Sequence, residues 1–224
     1  MEANRRRWNR QHAVLTRLLM KERDYRKALP LLLEHHAAVH SAGLHSGARE
    51  SFQDEVLGAL TEAQMRVILP GGQSVIWKLW HATRVEDVTM NLLLAGSPQV
   101  LLKANWPAKL GISLIDVGND MPAADLKKLS EIINLKALLA YRLAVGRRTR
   151  IILRRLKPDG LWERPAPERI ARIVAERAVR EKARWLLKYW GGNPNANLLL
   201  MPATRHPFVH LNEISRMNPK LRRL

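Results

Sequence analysis

Between its proline and glycine breaks this chain repeats apolar residues at intervals of three and four, and almost nowhere at two. That period belongs to helices that bury one face, and it leaves little sequence for a sheet. The firm breaks are far apart: Pro70-Gly71-Gly72, Gly96-Ser97-Pro98, Pro158-Asp159-Gly160 and Gly191-Gly192-Asn193-Pro194. The pattern predicts core helices over about 29–44, 74–95, 135–156 and 204–217. Pro165-Ala166-Pro167 opens a further amphipathic segment, 168–190, between the third and fourth. Residues 97–134 read as an irregular connection with short helical pieces, and a connection that long tends to pack over a site. The expected fold is therefore all-α: a four-helix bundle with a long crossover, an extra helix between the third and fourth core helices, and an N-terminal helical extension. The expected division is a basic extension at 1–28, the bundle at 29–218 and a frayed basic tail at 219–224.

Composition narrows the chemistry. There is no cysteine, so disulfides, thiolate ligands and a cysteine nucleophile are excluded, and any metal must be held by histidine and carboxylate. Thiol chemistry would need a low-molecular-weight thiol from outside. The N-terminal stretch Met1–Arg10 is charged with no apolar run behind it and does not read as a signal peptide; a cytoplasmic location is expected. No run of about 20 apolar residues occurs, so no membrane insertion is expected. The net charge is +18, from 38 basic and 20 acidic residues. Such a bias allows a nucleic-acid or other polyanion partner, attraction of an anionic substrate, or simply solvated basic helix faces. The basic residues are spread over several helices without interleaved aromatics, which favours the last.

The helical stripes pick out candidate site residues. In the last helix, Thr204 is a plausible N-cap and Pro207 falls in the first turn. The inward stripe there reads His206, Val209, His210, Glu213, Met217. Two histidines four apart lie one turn apart on one face, as two helical ligands to one metal ion must; the alternative is a pair of structural histidines. In the 74–95 helix the stripe is Trp77, His81, Val85 or Arg84, Val88 and Leu92. If these two helices face each other, His81, His206 and His210 converge, and three protein ligands with an open position make a catalytic rather than a structural metal site. The first core helix carries Leu29, Leu33, His36, His40 and Leu44 and is ended by Gly43 and Gly47; a break is expected near Leu29-Pro30. His36 and His40 would line the cavity as proton donors or acceptors, extend the site towards a second metal, or be structural. Glu213 would orient a ligand imidazole or activate water, or else pair with Arg216 at the rim. The third helix places Leu138, Leu139, Arg142, Val145, Thr149 and Ile152 near one face; Arg142 would hold a substrate carboxylate or snorkel to the surface. Ile170, Val174, Ala178 and Trp185 would face inward from the extra helix. Glu86 and Asp87 are off the stripe and would meet Arg84 or basic neighbours, and His12, His35 and His45 read as surface residues.

The segments Leu79-Trp-His-Ala-Thr-Arg-Val-Glu-Asp87 and Met201-Pro-Ala-Thr-Arg-His-Pro-Phe-Val-His-Leu-Asn-Glu213 resemble the DinB-like family, in the superfamily that includes thiol-dependent transferases such as mycothiol-dependent maleylpyruvate isomerase. The resemblance covers about 30–217 and rests on one histidine in the second helix and a His-x-x-x-His pair in the fourth. It implies a four-helix bundle with a divalent ion, zinc or nickel, on His81, His206 and His210, and a homodimer. It implies a metal-dependent enzyme, a hydrolase or a thiol-dependent transferase acting on a small molecule. The strong basic charge and the inward His36 and His40 depart from that family picture. The competing function is a non-catalytic basic helical module that binds nucleic acid; a third is a structural or regulatory helical dimer with core histidines.

Overall fold

The computed structural model describes residues 2–44 and 51–224. It is 71% helical, with no strand among the described residues, as the spacing of apolar residues predicts. The helices are α1 (Glu2–Leu19), α2 (Tyr25–Ala38), α3 (Phe52–Leu57), α4 (Glu62–Arg66), α5 (Val75–Asp87), α6 (Val100–Lys103), α7 (Trp106–Leu110), α8 (Ala123–Ile132), α9 (Leu135–Arg155), α10 (Pro167–Ala175), α11 (Trp185–Gly192), α12 (Asn195–Leu200) and α13 (His206–Leu221). His45 and Gly47, named above, lie outside the described residues.

Helix α5 is the centre of the molecule. Ser74 caps it by accepting the Trp77 N–H, and every residue from Ser74 to Leu94 is buried. A helix buried on all sides normally reads as apolar all round. This one carries Lys78, His81, Thr83, Arg84, Glu86, Asp87, Thr89 and Asn91 inside the protein, so each needs a partner there. Arg84 donates to Asp87, the Tyr141 hydroxyl, Gln99 and the Ile115 carbonyl. Asp87 in turn accepts from the backbone N–H of Val100 and of Leu101. The pair thus ties the central helix to both ends of the crossover's first half. Helix α5 packs on α9 and α13, and α2 packs on α9 and on residues 201–205.

Both helices that carry candidate ligands contain a π-helical turn, at Val88–Leu94 beyond α5 and at Met201–Arg205 ahead of α13. Such turns widen a helix by one residue and are frequent at functional sites. At 201–205 Pro202 has no N–H to give, and Thr204 instead turns its hydroxyl back to the Leu200 carbonyl, 2.7 Å away. Thr204 is therefore not an N-cap: the chain is already helical from Asn195, and no helix begins at residue 204.

Other boundaries also move. The first segment breaks at 20–24, not at Leu29-Pro30; Pro30 lies inside α2 on an exposed position. On α2 Leu32 and His36 are fully buried, as are Val39 and His40 just beyond its end at Ala38, while Leu29 and Leu33 are only half-buried. The extra helix is two helices, α10 and α11, because Arg177 takes a left-handed φ of 51° and Arg180 turns to pair with Asp116 and Asp125. That break shifts the buried stripe: Ile173 is inside, while Val174 and Trp185 are exposed. Leu139 and Val209, expected inside, are also exposed. Helix α13 continues to Leu221 with Pro219 within it, and the buried Leu221 side chain pins what was expected to fray.

Part of the basic charge has structural work. Arg66 donates to the carbonyls of Ser130, Glu131 and Ile133 at the end of α8, and Arg169 to those of Leu93 and Leu94 at the end of the central π turn. These are the carbonyls that a helix end leaves without partners. The N-terminal helix is not peripheral either: the Trp8 ring stacks on Phe208 of α13 at 3.7 Å and an interplanar angle of 5°.

Candidate metal centre

Helix α5 delivers His81, and α13 delivers His206 and His210 one turn apart. The Nε2 atom of His206 is 3.1 Å from Nε2 of His81 and 3.1 Å from Nε2 of His210. Three ring nitrogens therefore face one point. Three ligands to a tetrahedral zinc at about 2.0–2.1 Å would stand about 3.4 Å apart, close to what is found.

The back of each ring decides what the front presents. His81 donates Nδ1–H to the Val117 carbonyl at 2.6 Å, and His210 donates Nδ1–H to Glu213 at 2.9 Å. With the proton held at Nδ1, Nε2 of the neutral ring is a lone pair. Nε2 of His206 lies against both, and a single N–H there could satisfy only one of them. Its own Nδ1 is buried without a partner. A cation at the shared point satisfies all three nitrogens at once, and imidazoles held from behind by a carbonyl or carboxylate are the usual setting of metal ligands. The residues present thus fit a divalent ion.

Electrostatics agree. Burial, then the neighbouring His210, pushes the His81 imidazole down to about 3. Burial and the charges of His81 and His210 hold His206 well below its ordinary value. Glu213 is pushed down to about 2, chiefly by its hydrogen bond from His210 and with help from Lys78, whose Nζ lies 2.7 Å away. Glu213 is thus an ionised anchor behind His210, not a rim partner of Arg216.

The crossover supplies the remaining partner. Val117 N–H donates to the Ala178 carbonyl, and the Asp116–Arg180 ion pair holds the same turn. At Gly118 φ is +86°, and a Cβ would meet the Trp77 indole at 3.4 Å, so glycine lets the loop lie flat on the ring beside His81. The long connection does pack over the site. Beside the imidazoles a cavity of about 250 Å³ opens between this loop, α11 and residues 201–202, with His81 and His206 in its wall.

A second group lies deeper. Glu86 accepts Nε2–H from His36 at 2.8 Å and from His40 at 2.9 Å, one on each oxygen, and all three side chains are fully buried. Either group could hold a metal ion by composition and closeness. Here, however, the outer Nδ1 atoms of both rings have no partner. Burial would raise the Glu86 carboxyl, but His40 and His36 outweigh it and hold the group well below its ordinary value. Burial pushes His40 down to about 4. The ring of His40 fits only because residue 146 is glycine: a Cβ on α9 would stand 2.9 Å from its Nδ1.

The remaining sequence candidates fall elsewhere. Arg142 neither meets the cavity nor snorkels: it is 1% exposed and donates to Gln53, Thr83 and the Val39 carbonyl, with Glu86 as its nearby counter-charge. His35 is 2% exposed, packed edge-on to Trp8 and pushed down to about 4 by burial. His12 is half-buried, stacked on Trp8, with Nε2 3.2 Å from the Leu200 carbonyl. Neither is a surface residue: α1, which carries Trp8 and His12, closes over His35, and His12 is on its inner side. Glu86 was expected off the inner stripe; on a helix buried all round there is no outer face for it to occupy. Its role, and that of Lys78, could have been read from charged residues set in an otherwise unbroken buried helix. The Val117 carbonyl left no such trace. No protein-family model and no characterised protein matches this chain.

Proposed function

We propose that the chain is a metal-dependent enzyme of the DinB-like type, a hydrolase or thiol-dependent transferase for a small molecule, with one divalent ion, zinc or nickel, on His81, His206 and His210. The convergence of three Nε2 atoms, two of them fixed as lone pairs by Val117 and Glu213, carries this reading. Bound there, the ion would supply Lewis acidity towards water, a thiol or a substrate carbonyl. The chain's own part is to hold the donors. The Val117 carbonyl keeps the His81 proton at Nδ1, Glu213 does so for His210, and Lys78 balances the Glu213 charge. The cavity beside His81 and His206 gives a small molecule access to the same point. The His36–Glu86–His40 group, in this reading, holds no metal and braces α2 against α5.

Cobalt(II) titration of the untagged, chelator-treated protein tests the assignment. One equivalent should produce visible absorption of a four- or five-coordinate ion, and His210→Ala should abolish it. Absorption unchanged in His210→Ala would remove the site from this position.

A further inference from the structure

The cavity at the three imidazoles differs in character from the surface around it. The chain carries 38 lysines and arginines, yet among the described residues no lysine, arginine, aspartate or glutamate lines this space. Its walls include Val85, Trp190 and Met201, and its rim is formed by the exposed rings of Trp185 and Tyr189. Trp185 is held at the mouth by its indole N–H, which donates to Asp120 at 3.1 Å. Apart from the imidazoles, the polar residues of the lining are uncharged: Asn119, Trp185, Tyr189 and Trp190. A charged ligand would leave water here with no counter-charge to receive it.

We propose that this cavity takes a neutral, mainly apolar small molecule, aryl or alkyl, whose polar reactive group faces His81 and His206. The inference rests on the metal reading for the reaction but not for the binding. It also separates the site from the net charge: the +18 does not serve to hold an anionic substrate in this pocket. At about 250 Å³ the space is slightly below the roughly 300–1,000 Å³ of drug-sized pockets, which fits one ring or a short chain.

Three probes that share one ring test this: benzamide (neutral, N–H donor), benzylammonium (cation) and benzenesulfonate (anion, a poor metal ligand). Binding to the full chain is followed by calorimetry, as purified and after chelation, with metal content measured on the same samples. Benzamide should bind saturably and about tenfold or more tighter than either charged probe in both states. Tyr189→Ala, at the exposed rim, should weaken benzamide about three- to tenfold through the lost ring contact. Equal or tighter binding of benzenesulfonate, or no saturable benzamide binding, overturns the inference even if the protein holds metal. The expected ranking in a protein that takes up no metal sinks the metal reading and leaves this one standing.

Discussion

The two histidine groups of this molecule each set imidazoles against a glutamate, but they face opposite ways. In the His81–His206–His210 group, Val117 and Glu213 hold two rings by Nδ1, and the lone pairs of Nε2 point inward. In the His36–His40–Glu86 group a carboxylate takes both Nε2–H groups at the centre, and the Nδ1 positions behind are bare. The first lacks a central charge and opens on a cavity; the second already contains its anion, is sealed, and has Arg142 nearby. Closeness of histidines and carboxylates therefore does not by itself define a metal centre. What lies behind each imidazole decides whether it offers a lone pair or a proton.

The comparison can be broken most forcefully at Glu86. Glu86→Ala would leave two buried N–H groups without their acceptor and the buried Arg142 charge without its counter-charge, and should cost about 3–5 kcal/mol in urea unfolding, against little change in metal content. A loss of bound metal with the fold intact would make the two groups one functional unit. Next comes Gly146→Ala. Helix propensity alone would stabilise it by up to about 1 kcal/mol, but the added methyl meets His40, which Glu86 holds in place. The variant should lose about 1–3 kcal/mol, and a stabilised variant would show that the clamp is loose. At the other group, Glu213→Ala should weaken metal binding about 10- to 100-fold in chelator competition while changing urea stability of the metal-free chain little. Unchanged affinity would mean that Glu213 does not set the His210 tautomer.

The smallest effect lies beside the clamp, at His35, which has no acceptor at all. Its folded value is about 4 against 6.5 in the unfolded chain. Between those values the unfolded state binds a proton that the folded state refuses, so stability falls as pH falls through that window. The slope is up to about 1.4 kcal/mol per pH unit for this residue. His35→Phe should flatten the pH dependence by about one proton's worth; an identical slope would place the titration elsewhere.

Much of this was legible in the sequence, for reasons that also mark its limits. The 3.6-residue period and widely spaced Gly/Pro breaks predict an all-α chain, and His81 with the His206/His210 spacing points to three rings on facing helices. Period reasoning assumes that each helix has an outside. It misplaces Glu86 because α5 has none, and it misplaces His35 and His12 because α1 docks on the bundle with His12 on its inner side, over His35. It read one helix at 168–190 because nothing in local propensity announces a left-handed Arg177. It gave Arg142 to a substrate because the buried acceptors it serves come from three other segments. The Val117 carbonyl, a backbone atom delivered by the crossover, has no residue type to betray it.

Elemental analysis of the untagged protein beside His81→Ala, His210→Ala and Glu86→Gln shows whether the three imidazoles hold an ion. One divalent ion per chain is expected in the wild type and in Glu86→Gln, and none in the two histidine variants with helicity retained. A wild type that neither carries nor takes up metal would contradict that reading. So would two ions per chain with one lost in Glu86→Gln, since the buried clamp would then be a metal site after all.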